Sequence, residues 1–108
     1  MNNMDRIREL LQFAEEEPEN PFNIYALALE YQNQDKEKAS FYFNKLLEEH
    51  KNYLPTYYHA AAFYASEGNI SLANKLYLEG LALAKRQNNQ HAKKELDNAY
   101  LNFQLENE

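Results

Sequence analysis

The chain has 108 residues, no cysteine and a formal net charge of −6. This length predicts one domain, and the lack of cysteine excludes disulfide bonds and thiol chemistry. The acidic excess argues against a nucleic-acid partner, because it would repel phosphate backbones. No apolar run is long enough to cross a membrane, and the N-terminal segment lacks the apolar core of a secretion signal. We therefore expect a cytoplasmic protein with neither a nucleic-acid nor a membrane partner.

Apolar residues recur at helical spacing along most of the chain, which predicts an all-α protein. Valine is absent, and the 2 glycines and 3 prolines allow few turns. The predicted helices span about 4–17, 21–33, 36–50, 54–67, 70–86 and 90–106.

The first helix carries an apolar stripe and ends before Pro18, which cannot continue a helix. Part of this stripe lies 33 residues before equivalent positions of the third helix. The chain therefore begins with half of a repeat, at residues 1–20. The stripe consists of Ile7, Leu10, Leu11, Phe13 and Ala14.

Two complete repeats follow, Pro21–Tyr53 and Leu54–Arg86. Both contain two helices with matching apolar positions, which lie 33 residues apart in the first helices and 34 apart in the second. The two offsets differ because the turn of the first repeat is one residue shorter and lacks the glycine, Gly68, of the second. In the first helices Ile24, Leu27, Ala28 and Tyr31 match Tyr57, Ala60, Ala61 and Tyr64. In the second helices Ala39, Phe43, Leu46 and Leu47 match Ala73, Tyr77, Gly80 and Leu81.

The last helix, within residues 87–108, has one apolar and one polar face, as the end of a repeat array requires. The apolar face carries Leu96, Ala99, Tyr100 and Phe103, and the polar face includes Lys93, Lys94, Asp97, Asn98 and Asn102.

The second repeat resembles the tetratricopeptide repeat (TPR), a unit of 34 residues with two antiparallel helices. The first repeat is a weaker match, because its turn lacks glycine and Leu46 stands in place of a small residue. The resemblance implies an α-α superhelix, a right-handed solenoid closed by a C-terminal capping helix. It also implies a non-catalytic module that binds a peptide or partner protein in a concave groove. The residues that carry the resemblance are Tyr57, Ala60, Ala61, Tyr64, Gly68, Ala73, Tyr77 and Gly80.

The groove is expected on the face of each first helix that lies beside its buried stripe. Tyr25 and Tyr58 occupy equivalent positions there, and tyrosine combines a large contact area with a hydrogen-bonding tip. The alternative is that these tyrosines pack against a neighbouring repeat. The resemblance to TPR domains that grip chaperone carboxylates fails here, because the clamp positions hold no Lys or Asn. The predicted partner-binding residues are Phe22, Tyr25, Leu29 and Gln32, then Tyr58, Ala62 and Ser66, with Pro55 and Ala65 beside them.

A second candidate surface lies on the second helices. Phe41, Tyr42 and Phe43 are consecutive, so one helix face cannot bury all three. Phe41, Tyr42 and Leu78 are therefore a possible dimer surface, and the alternative function is a self-associating scaffold. Neighbouring side chains could instead cover them.

Signals for chemistry are weak. His50, His59 and His91 lie on different predicted helices without metal-ligand spacing, and no phosphate-binding or nucleophile motif is present. We expect no metal, no cofactor and no enzymatic activity. Lys85, Arg86 and the Lys93–Lys94 pair make the C-terminal region locally basic, which could attract an acidic segment.

Overall fold

A computed structural model describes residues 3–108, which form six α-helices and no β-strand. Every predicted helix is present, with bounds within two residues of the prediction. Two compact units divide the chain between Tyr53 and Leu54. None of the helices described combines the length and apolarity that a bilayer crossing requires. The helices are α1 (Asn3–Glu16), α2 (Pro21–Tyr31) and α3 (Lys36–Glu49) in the first unit, and α4 (Pro55–Ser66), α5 (Ile70–Arg86) and α6 (Gln90–Glu106) in the second.

Side-chain caps begin four of the helices. The carboxylate of Asp35 accepts a hydrogen bond from the Lys38 amide (3.1 Å), so it satisfies a donor that α3 cannot use internally. Asn20, Asn69 and Asn89 cap α2, α5 and α6 in the same way. Helix α4 has no side-chain cap.

A proline occupies the first turn of the first helix in each full repeat. Helix α4 begins with Pro55 at its first position, where the missing N–H costs nothing. Its counterpart in the first repeat is Pro21, at the first position of α2. Pro18 lies in the turn between α1 and α2, where it follows the end of α1 as predicted. The two prolines at helix starts thus mark the beginning of each full repeat.

A residue with left-handed backbone conformation follows the end of both α4 and α5. Gly68 has a φ of 84°, and the amides of Gly68 and Asn69 bond back to the carbonyls of Ala65 (3.1 Å) and Tyr64 (2.9 Å). These two hydrogen bonds close the helix end and direct the chain into α5. Asn88 does the same after α5 with a φ of 56°, at a steric cost that glycine would not have.

In the first unit, α2 packs between α1 and α3. Leu27, Phe43 and Leu46 are fully buried at the α2–α3 contact. Helix α1 buries Ile7 but leaves Leu11 and Phe13 exposed by 41% and 44%, so the predicted stripe was wrong at these two residues. The reason is that α1 packs against α2, and one neighbouring helix covers a narrower face than two.

In the second unit, α5 packs against both α4 and α6. Gly80 lies where α5 crosses α4, so close that an added Cβ would be 2.7 Å from the Cβ of Tyr57. Tyr77 packs against Phe103 of α6, with ring centroids 5.3 Å apart. The Tyr100 hydroxyl donates to Oδ1 of Asn74 (2.7 Å), which fixes α6 onto α5. This arrangement brings α6 alongside α4.

Candidate functional site

An open cleft of about 450 Å³ lies between α4 and α6 in the second unit. Residues three and four apart share one helix face, so each helix contributes one side of the cleft. Tyr77 of α5 lies between them. The lining residues are Tyr58, Ala62, Ala65 and Ser66 from α4, Tyr77 from α5, and Ala99, Asn102, Phe103, Glu106 and Asn107 from α6 and its end.

Small side chains keep this cleft open. Ala62 and Ser66 are exposed on the α4 side, and Ala65 and Ala99 are half-buried. The Ser66 hydroxyl forms a hydrogen bond within its own helix, because it donates to the Phe63 carbonyl (2.7 Å). A chain lying in the cleft would therefore meet apolar methyl groups and backbone.

Two tyrosine hydroxyls and a carboxylate give the cleft its polarity. Tyr58 is 41% exposed, with its ring edge against His59 (centroids 5.2 Å apart). Burial raises the pKa of Tyr77, and the neighbouring Tyr58 and Glu106 raise it further. Tyr58 of α4 and Glu106 of α6 line the same cleft as Tyr77. The site offers apolar contact and hydrogen bonding, which suit recognition of a polypeptide.

The histidines do not form a metal centre. No group of three or more metal-ligating side chains occurs within residues 3–108. Burial lowers the pKa of His59, and Glu95 partly opposes this effect. His91 lies on the exposed surface, 3.1 Å from the same carboxylate. His59 is therefore best described as a half-buried helix residue beside the cleft.

The other predicted binding residues lie on α2 and at its C-terminal cap, in the first unit. Phe22 is 55% exposed, whereas Leu29 and Gln32 are half-buried. Tyr25 packs edge-on against Tyr53 (centroids 5.6 Å apart), and burial together with Tyr53 raises its pKa. Part of the Tyr25 surface is thus used within its own repeat, whereas the alternative interpretation supposed contact with a neighbouring repeat. The structure brings Tyr58, Ala62 and Ser66 together at one cleft.

The possible dimer residues differ in their surroundings. Tyr42 is half-buried and stacks on Tyr31 at 5.9 Å with nearly parallel rings. Phe41 touches Tyr42 edge-on but remains 60% exposed. Leu78, in the second unit, is 47% exposed. Phe41 and Leu78 therefore present apolar surface, while Tyr42 packs largely against its own unit.

Sequence reasoning missed the contribution of α6 to the cleft. It assigned α6 the shielding of the last core, with Asn102 on the solvent-facing side. Asn102 is indeed exposed, but it lines the cleft together with Glu106. The available signal was the alternation of helices: α6 occupies the place that the first helix of a third repeat would take beside α4.

Comparison with known proteins gives matches among solved structures alone. No protein-family model matches the sequence, and no curated protein matches it. The chain is similar to a solution NMR structure of a tetratricopeptide repeat domain protein from Salinibacter ruber, with 33% identity and a TM-score of 0.74 over 81% of this chain and 89% of that one. It is also similar to a crystal structure of a tetratricopeptide repeat domain protein from the same organism, with 30% identity and a TM-score of 0.73 over 79% and 97% of the two chains.

Proposed function

The chain belongs to the tetratricopeptide repeat family, and from that membership we propose that it binds a segment of a partner polypeptide in the α4–α6 cleft and catalyses no reaction. The fold itself is that of a protein-interaction module. The open cleft supports a location for this role on one surface of the second unit. The proposal includes action in the cytoplasm, which the absence of cysteine supports.

The observation that carries the proposal is an exposed aromatic ring beside an open floor of small residues. Tyr58 is 41% exposed although its ring could bury a large apolar area, and Ala62 lies one turn further along α4. An aromatic anchor next to a shallow apolar floor is typical of surfaces that dominate binding energy. On α2, Phe22, Tyr25, Leu29 and Gln32 remain the predicted contact surface of the first unit, and Phe22 is its most exposed member.

The test is selection of short peptides from a random library on the immobilised protein, followed by anisotropy titrations of the selected peptides. Ala62→Met fills the cleft without adding charge, and we expect it to weaken binding by about tenfold, since an obstructed floor costs about 1.4 kcal/mol or more. Tyr58→Ala should weaken binding similarly. Ala82→Met is the matched control, because Ala82 is exposed on α5 outside the cleft. Equal affinity of the Ala62→Met and Ala82→Met proteins would contradict the proposal.

A second candidate function is a homodimeric scaffold built on the apolar surfaces of the second helices. Its support is the exposure of Phe41 (60%) and Leu78 (47%), with Tyr42 beside Phe41. Light scattering over a concentration series tests it. A mass that rises above 12.8 kDa with concentration, and returns to it in Phe41→Ser or Leu78→Ser proteins, is the expected result for a dimer. A constant mass of one chain would exclude this role.

A further inference from the structure

The α4–α6 cleft has an uncompensated negative end. Among the described residues that line it, Glu106 is charged, and none is Lys, Arg or His. Tyr58, Tyr77 and Asn102 add neutral polar groups. A ligand that enters here therefore meets a carboxylate with no basic side chain beside it in the lining.

Two helix C-termini lie at this same end. The last turns of α4 and α6 both line the cleft, through Ser66 and Glu106. The aligned peptide dipoles give each helix C-terminus about half a negative charge, and at α4 the amides of Gly68 and Asn69 already donate to the carbonyls of Ala65 and Tyr64. Neither last turn contains a basic residue, whereas α5 ends in Lys85 and Arg86. The side chains known to reach these carbonyls are neutral: Ser66 donates to Phe63 (2.7 Å) and Asn107 donates to Phe103 (2.8 Å).

The cations of the second unit lie elsewhere. Lys93 and Lys94 are about 20 Å from Glu106 along α6, at 1.5 Å per residue, which exceeds the screening length of about 8 Å at physiological salt. Lys93 is also paired with Asp97 at 2.8 Å. Lys75, near the start of α5, is paired with Glu79 at 3.7 Å. None of these lysines lines the cleft.

From this charge pattern we propose that the polypeptide segment bound in the cleft is basic, with a lysine or arginine side chain placed beside Glu106 and the two helix ends. The inference rests on the proposed function. Such a side chain would lay its aliphatic stem along Ala99 and Phe103 and bring its cationic head to the carboxylate. The phenol of Tyr77 shares this environment, because Tyr77 and Glu106 both line the cleft. An acidic segment would meet repulsion here, and the basic residues near Lys93 lie outside the cleft.

Three pools of short fluorescent peptides test the inference. The pools have identical neutral randomised positions and differ in two fixed positions, which are both Lys, both Gln or both Glu. Anisotropy titrations at low salt and at about 0.15 M salt give the affinity of each pool. We expect the Lys pool to bind about tenfold more tightly than the Gln pool at low salt, the Glu pool to bind most weakly, and the differences to shrink at higher salt.

Substitutions assign this preference to the cleft. Glu106→Gln should reduce the ratio of Lys-pool to Gln-pool affinity by about threefold. Asp97→Asn is the matched control, because it removes the same charge from α6 at a residue outside the cleft lining. Circular dichroism confirms that both proteins keep their helices.

The outcomes separate the inference from the function on which it rests. The proposal of a basic segment would be overturned by equal affinities of the Lys and Gln pools, by a preference for the Glu pool, or by a Lys-to-Gln affinity ratio that Glu106→Gln leaves unchanged. In each of these cases, binding that Ala62→Met weakens would still uphold the cleft as the binding site. Absence of saturable binding by every pool, or binding that Ala62→Met does not weaken, would overturn the proposed function together with the inference.

Discussion

Replacing Gly80 by Ala tests the helix crossing that holds α4 against α5. An added Cβ would lie 2.7 Å from the Cβ of Tyr57 and 3.4 Å from both methyl groups of Leu96. Carbon atoms pack at about 3.5–4.0 Å, so the first contact is too close by about 1 Å. The Tyr57 Cβ is attached directly to the backbone of α4, and it cannot move away by a rotamer change. The two helices would have to separate.

Two effects of opposite sign set the magnitude. Alanine favours a helix interior over glycine by about 1 kcal/mol, whereas overfilling a packed contact costs about 1–3 kcal/mol. Because the obstructing atom is next to the backbone, we expect the steric cost to be near the upper end and the net loss to be about 1–2 kcal/mol. For a chain of this size, that loss lowers the melting temperature by roughly 5–10 °C.

Thermal and urea unfolding followed by circular dichroism measure this loss. Ala82→Gly is the matched control, since Ala82 is exposed on the same helix and its replacement removes the helix preference alone. Adding its destabilisation to that of Gly80→Ala gives the steric cost of the crossing. A Gly80→Ala protein that melts at a higher temperature than the parent would refute the reasoning, because the crossing would then have room for a methyl group.

Three further predictions follow from the helix ends and from one histidine. Asn88→Gly should stabilise the protein by about 1 kcal/mol in urea unfolding, because glycine adopts the φ of 56° without steric cost; a loss of stability would contradict this assignment. Asp35→Ala should destabilise it by about 1 kcal/mol, because the Lys38 amide loses its cap, and an effect no larger than that of Asn33→Ala in the same turn would argue against the cap. Burial lowers the pKa of His59 from its usual 6.5. As the pH falls, the unfolded chain therefore binds a proton at this residue before the folded chain does. The stability due to His59 is complete above pH 6.5 and declines as the pH falls below that value. Unfolding free energies measured from pH 7.5 to 5 should show a decline that His59→Gln makes shallower, and an identical decline in both proteins would rule out His59 as its source.

The helices and the paired core positions followed from the sequence because both depend on local pattern. Periodicity fixes the phase of an amphipathic helix, so Leu27, Phe43 and Tyr77 are buried as predicted. The turn residues carried equally local information. Gly68 marked the left-handed end of α4. Comparison with the Salinibacter ruber structures then agrees with the family resemblance that the repeat pattern indicated.

Features that depend on how the helices pack against one another could not be predicted from the sequence. Leu11 and Phe13 have the spacing of core residues but are exposed, because α1 packs against α2. The stacking of Tyr42 on Tyr31 likewise needs the relative rotation of two helices, which sequence pattern does not give. The same holds for the cleft: α4 supplied recognisable candidates, whereas Asn102 and Glu106 of α6 became candidates once the position of that helix was known.

The central claim is that the α4–α6 cleft binds polypeptide, and the most direct test is a ¹H–¹⁵N NMR titration of the labelled protein with a selected peptide. The account predicts that the largest amide shift changes occur at Tyr58, Ala62, Ser66 and Asn102, and that Ala62→Met removes them. Shift changes centred instead on Phe41 and Leu78, or changes that persist in the Ala62→Met protein, would contradict it.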